Sequence, residues 1–146
     1  MSLRSFLKEM EERGEVVHVR DQVSPHFEAS SIMKAFDGGP ILFFDNVEGY
    51  ATKVVANVCG TRNRICSALS VSPDNLYQRL TNALRSPIPP KVVEEGPVNE
   101  VIEKASLSKI PVLTHFEKDA GAYITSAIVS ARSSDGRIEN VSIHRL

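Results

Sequence analysis

The chain has no appreciable excess of either charge, few cysteines and no long apolar run. Seventeen lysines and arginines stand against eighteen aspartates and glutamates, for a formal net charge of −1 and a pI near 6.4. That balance gives no electrostatic ground for nucleic acid or an anionic membrane as partner. No apolar run approaches the roughly 18 residues that a membrane-spanning helix needs. The opening MSLRSFLKEMEERGE carries charges every few residues, where a signal peptide has a continuous apolar core. A cytoplasmic protein is expected. Cys59 and Cys66 are the only cysteines. Their spacing fits neither a C-x-x-C redox motif nor a zinc-ligand pattern, so both are expected to be small buried hydrophobes without a disulfide. Internal repeats and low-complexity tracts are also absent.

What is present is ordinary for a folded domain: 146 residues, 42% hydrophobic and 24% charged. A chain of this length can bury roughly 68–70% of its unfolded surface and so hold a core of its own. Ser2 is placed to cap a helix in which Leu3, Phe6, Leu7 and Met10 recur at helical spacing, with Gly14 as its stop. Glu15 to Arg20 reads as a strand. Ser24-Pro25 starts a second helix, with Ala29, Ile32, Met33 and Phe36 on its apolar face and Gly38-Gly39 at its end. Pro40–Phe44 and Lys53–Val58 read as strands joined by a turn containing Gly49, together a hairpin for helices to cover. Gly60-Thr61 leads into a short helix with Ile65, Cys66 and Leu69 inward. Ser72-Pro73-Asp74 starts another, with Leu76, Tyr77, Leu80, Ala83 and Leu84 on one side. Residues 1–85 therefore read as one α+β unit. Three prolines in Pro87-Ile88-Pro89-Pro90 mark a boundary, and 86–114 reads as a connector with little regular structure.

The last quarter, 115–146, has a hairpin pattern. Tyr123 to Arg132 and Arg137 to Leu146 flank Ser133-Ser134-Asp135-Gly136, and Asp-Gly suits a tight primed turn. The second arm concentrates Asn140, Ser142 and Arg145, which suggests part of a site whose remainder lies elsewhere.

Five segments in order carry a resemblance. They are LRSFLKEMEERGEVVHV, GGPILFFDNVEGY, NVCGTRNRICSAL, IPVLTHFEKDAGAYIT, and the run from Thr125 to Asn140-Val-Ser-Ile-His-Arg145. Together they resemble the UbiD family of reversible decarboxylases, which use prenylated flavin mononucleotide (prenylated FMN). The chain resembles about the first third of such an enzyme. The resemblance implies an N-terminal α+β unit (1–85), a connector (86–114) and, in 115–146, the first hairpin of an incomplete split β-barrel of the flavin-reductase-like type. It implies a carboxylic acid substrate that is α,β-unsaturated or aromatic, of the 4-hydroxy-3-polyprenylbenzoate or anhydromevalonate phosphate kind. It further implies a flavin prenyltransferase as cofactor supplier and a homo-oligomeric parent protein. The 146 residues alone are expected to be inactive, because the glutamates and further metal ligands of the family lie beyond Leu146.

The resemblance also assigns roles. An amide oxygen is a hard donor, and Asn140 matches the family's ligand to a divalent metal, usually manganese and in some members accompanied by potassium, which ties the flavin phosphate to the protein. Arg145 matches the arginine of an Asn-x-x-x-x-Arg pattern that sits by the cofactor and pairs with glutamates. A fixed guanidinium depresses the pKa of a neighbouring carboxyl group or holds a substrate carboxylate by two hydrogen bonds. Ile143 and His144 lie along the cofactor, and Ser142 and Thr125 match positions near it. On composition alone, each of these would be an ordinary strand residue. In a regular strand Asn140, Ser142 and His144 face one side and Arg145 the other, so service of one site requires a bulge or bend between Ser142 and Arg145.

Two weaker patterns have plainer readings. Gly60-Thr61-Arg62-Asn63-Arg64 could hold an anion but reads better as a solvated helix start. His115, Glu117 and Asp119 alternate as metal ligands might, but suit a polar loop. A rival to the enzyme is a non-catalytic module that docks on a partner through its open hairpin edges. A simple flavin-binding domain is a third reading.

Overall fold

The Ser2 hydroxyl accepts the Ser5 N–H at 3.2 Å while the Ser5 hydroxyl accepts the Ser2 N–H at 3.0 Å, a reciprocal cap that starts helix α1, Leu3–Glu12. The computed structural model describes residues 2–89 and 91–146. Gly14 follows α1 at φ 72°, where only glycine turns without strain, and strand β1, Val16–Val19, begins. Strands β2, Ile41–Phe44, and β3, Val54–Ala56, complete a sheet ordered β1-β2-β3, with β2 parallel to β1 and antiparallel to β3. The central position of β2 explains its unbroken apolar sequence, because both of its faces are covered. Ile41 packs with Phe6 and Met10 of α1 on one face. Leu42 and Phe44 pack with Val23, Ala29, Val47 and Leu113 on the other.

Helix α2, Glu28–Ala35, starts later than Ser24-Pro25 suggests. The Ser24 hydroxyl does cap locally, accepting the His26 N–H. Residues 25–27, however, pair with Thr114: Thr114 N–H donates to the Pro25 carbonyl and Phe27 N–H to the Thr114 carbonyl, both at 3.0 Å. Phe27 takes a left-handed conformation, φ 65°, to turn from that bridge into the helix. Pairing with a distant segment has displaced a local start signal.

Helix α3, Arg62–Ala68, is capped by Thr61, whose hydroxyl accepts the Arg64 N–H. Its inward face differs from the expectation. Leu69 is exposed, and Arg64 is buried beside Cys66. The Arg64 guanidinium donates to the carbonyls of Asn57 and Gly39, and its Nε lies 3.3 Å from a Glu15 carboxylate oxygen. That last contact is an ion pair by distance without hydrogen-bond alignment. One cation thus ties α3 to the segments that enter β1, enter β2 and leave β3. The segment around Gly60 is a structural corner, not a free anion cradle.

Helix α4, Leu76–Arg85, buries Leu76 alone; Tyr77, Leu80 and Leu84 are exposed. The apolar side predicted for it exists and is uncovered. Residues 86–114 hold two 3-10 turns, Pro97–Asn99 and Leu107–Lys109, and no strand among the described residues. A separate antiparallel pair, β4, Ala127–Arg132, and β5, Glu139–His144, follows. The architecture is α+β, with four α-helices and two small sheets among the described residues.

On the α1 side of the sheet, His18 sits between two carboxylates. Its Nδ1 is 2.7 Å from Asp45 and its Nε2 is 3.0 Å from Glu11. Carboxylates only accept, so both ring nitrogens must carry protons. Hydrogen bonds to Asp45, then to Glu11, raise the His18 pKa above 6.5. Lys53, then His18, lower that of Asp45 below 3.8. The His18 contribution to stability is therefore complete below about pH 6.5 and lost as pH rises through the raised value. The Asp45 contribution is complete above about 3.8 and lost as pH falls through the lowered value.

Two outcomes follow from these contacts. Arg64→Met should destabilise the fold by roughly 1–3 kcal/mol in urea unfolding, because it leaves two part-buried carbonyls without their donor; a loss under about 0.5 kcal/mol would disprove the tie. An NMR titration should place His18 above 6.5 in the wild type, and Asp45→Asn should bring it down; an unchanged midpoint in the variant would refute the pairing.

Candidate functional site

The terminal hairpin keeps one register from Arg132 opposite Glu139 to Ala127 opposite His144. Its turn is not of the primed type. Gly136 donates to the Ser133 carbonyl at 2.8 Å and is the only residue of Ser133–Gly136 at positive φ, 71°. A β-turn followed by a left-handed glycine is the arrangement of longer hairpin loops. Asp135 accepts from the Ser133 hydroxyl and the Arg137 N–H, which together hold its carboxyl below the usual range.

Because facing residues share a side, Asn140, Ser142 and His144 lie on one face with Ala131, Val129 and Ala127. Val141 and Ile143 lie on the other with Ser130 and Ile128. Asn140, Ile143, His144 and Arg145 are exposed; Ser142 is half-buried. Asn140 and Arg145 are five residues apart, about 17 Å along a strand. The structure does not bring them to one point.

The bulge expected between Ser142 and Arg145 is not found; an irregularity lies in the facing arm instead. Ile124 and Leu146 exchange both backbone hydrogen bonds, at 2.6 and 3.2 Å. Three steps from Ile124 to Ala127 therefore face two steps from Leu146 to His144. Thr125 and Ser126 stand opposite Arg145 alone, which is the count of a β-bulge. Strand β5 stays regular through His144. Thr125 and Arg145 are the two predicted residues brought together.

At the bulge the Arg145 guanidinium carbon lies 4.6 Å from the centre of the Tyr123 ring, within cation–π range. The Tyr123 ring in turn lies 4.7 Å from that of His115. Tyr123, His115, Thr125 and Ile128 form one wall of a cleft of about 750 Å³, and Met33, Val55 and the Asn57–Gly60 corner form the other. The lining is mostly apolar, as suits a planar organic group. His115 stacks instead of converging with Glu117 and Asp119; Asp119 accepts the Phe116 N–H at 2.9 Å. Among the described residues no group of three His, Cys, Asp or Glu side chains can hold a metal ion. The Asn140 amide oxygen is a hard donor on an exposed position of β5.

A profile of the 3-octaprenyl-4-hydroxybenzoate carboxy-lyase N-terminal domain matches residues 7–84, and one of the Rift-related domain matches residues 91–146. The chain belongs to the UbiD family. It is 40% identical to an anhydromevalonate phosphate decarboxylase of Methanosarcina mazei, over 100% of this chain and 33% of that protein. It superposes with a TM-score of 0.91 and 40% identity on the UbiD-class enzyme HmfF from Pelotomaculum thermopropionicum in complex with FMN, covering 99% of this chain and 34% of that one. An evolved dimeric form of HmfF in complex with prenylated FMN gives a TM-score of 0.90. The chain spans about a third of the length of these UbiD relatives.

Tyr123, expected only as the first residue of the hairpin arm, is a site residue that the sequence did not single out. Cys59 is a second departure. It is exposed and lines the cleft, whereas Cys66 is buried, and both are free thiols. No described helix is long and apolar enough to cross a membrane. Ellman's reagent should modify a single thiol in the native chain and both in denaturant, and Cys59→Ser should abolish the native reaction; rapid native labelling of both would contradict the burial of Cys66.

Proposed function

We propose that this chain is the N-terminal part of a non-oxidative, reversible UbiD-type decarboxylase that uses prenylated FMN and a divalent metal. The observation that carries this reading is full-chain similarity, at 40% identity, both to an enzyme named for decarboxylation and to one in complex with FMN. Among substrates, anhydromevalonate phosphate is favoured by the Methanosarcina mazei relative. The division into 1–85, a connector at 86–114 and the opening of a flavin-binding split barrel at 115–146 is part of the same proposal. So are a cytoplasmic location, a homo-oligomeric full-length protein and a flavin prenyltransferase as cofactor supplier.

When bound, the modified flavin supplies the electron sink for the electrons left as carbon dioxide departs. The chain's own residues have simpler tasks. On this proposal the Asn140 amide oxygen would be one ligand of the divalent metal, and Arg145 would lie beside the flavin. There its guanidinium would hold a substrate carboxylate by paired hydrogen bonds, or lower the pKa of a neighbouring carboxyl group. The Ser142–His144 backbone and Thr125 would lie along the same flavin. The exposed face of Ile128, Val141 and Ile143 is the side further barrel strands would cover. The glutamates that would pair with Arg145 and carry the proton are not supplied by these residues, so the 146-residue chain alone is inactive on this proposal.

The test is the visible spectrum and manganese content of the full-length protein co-expressed with a flavin prenyltransferase. Bound flavin and metal are expected, with metal lost in Asn140→Ala and carbon dioxide release from anhydromevalonate phosphate abolished in Arg145→Met. A colourless, metal-free protein would overturn the cofactor assignment. Retention of metal in Asn140→Ala would overturn that ligand alone.

A further inference from the structure

We propose that Tyr123 is a positioning residue for Arg145, through which the N-terminal unit sets the direction of that guanidinium. The inference rests on the reading of Arg145 as a residue beside the flavin. Arginine has four rotatable side-chain bonds, and Arg145 is exposed, so nothing in its own strand fixes where the charge points. Two features do. The bulge places Arg145 between two paired positions, Ala127 with His144 and Ile124 with Leu146, so its backbone cannot slide. The Tyr123 ring then lies 4.6 Å from the guanidinium carbon. An aromatic face attracts a cation along its normal and leaves the guanidinium N–H edge free to donate. A carboxylate partner would have fixed the charge too, but would have used up those donors.

Tyr123 is itself held from the N-terminal side. Its N–H donates to the Leu113 carbonyl at 3.1 Å, and its ring meets that of His115. Leu113 is buried in the sheet core, and Thr114 bonds to Pro25 and Phe27. A continuous path thus runs from the core of the N-terminal unit, through Leu113 and Tyr123, to Arg145. Each link is a backbone hydrogen bond or a ring contact.

The test titrates flavin-free full-length protein with FMN, following flavin fluorescence, in a double-mutant cycle. Tyr123→Leu should weaken binding roughly three- to tenfold, the size of a partly exposed cation–π contact. Tyr123→Phe, which keeps the ring, should stay within about twofold of wild type. In an Arg145→Met background, Tyr123→Leu should cost nothing further, because the residue acts through the arginine. Additive losses would overturn the inference and leave the role of Arg145 intact. Wild-type FMN affinity in Arg145→Met would overturn that role, and this inference with it. A second readout needs no mutant that must fold: in the wild type the Arg145 side-chain protons should show an upfield ring-current shift in the NMR spectrum, and its absence would refute the contact.

Discussion

The placement of the hairpin depends on a short seam where Thr114 exchanges backbone hydrogen bonds with Pro25 and Phe27. Beside it Leu113 enters the core, and the Ser30 hydroxyl donates toward the His115 carbonyl at 2.9 Å. The seam has a cost. Phe27 sits at φ 65°, a conformation that disfavours a bulky side chain by about 1–2 kcal/mol. Burial of Leu113, worth roughly 1.5–3 kcal/mol, offsets that strain. Without the seam, the connector of 3-10 turns and coil could not tell the terminal strands where to point.

The sheet and the hairpin solve different problems. In the sheet, β2 is covered on both faces, and Arg64 closes its corner with bonds to Asn57 and Gly39. A buried cation of this kind contributes little net stability, but its removal is costly because its partners are left unsatisfied. It fixes the shape of the segment from Asn57 to Gly60, which is one wall of the cleft. The hairpin supplies the other wall, and its chemistry-bearing residues stay exposed. A rigid wall facing an open one suits the entry of a planar ligand, with further chain or a partner closing over it.

What could be read from the sequence was local. The Ser2 cap, the apolar run of β2, the stop at Gly14 and a hairpin turning at Gly136 each depend on residues within a few positions. The five family segments were legible for the same reason. What could not be read was set at long range. The start of α2 is decided by Thr114, 88 residues from His26. Arg64 reads as a surface charge until carbonyls from two other segments converge on it. A bulge between Ser142 and Arg145 was expected from side-chain parity, yet the extra residue lies in the facing arm, because Ile124 and Leu146 pair one residue out of the β4–β5 register. Tyr123 carried no signal, since its partners lie 8 and 22 residues away in sequence.

The uncovered apolar surface bears on how much of the hairpin's geometry these residues set by themselves. Ile128, Val141 and Ile143 are 74%, 66% and 79% exposed, so the face they share contributes almost nothing to holding β4 and β5 in place. Side chains of this size each stabilise by roughly 1.5–3 kcal/mol when fully buried, which makes the hairpin's tilt cheap to alter until something covers them. The end of the hairpin that carries Arg145 is different. There the ladder, the bulge, the Ile124–Leu146 pair and the Tyr123 ring converge, and Tyr123 is bonded to the buried Leu113 segment. The Tyr123 ring holds the guanidinium at that end, while the tilt of the strand that carries Asn140 waits on whatever buries the open face.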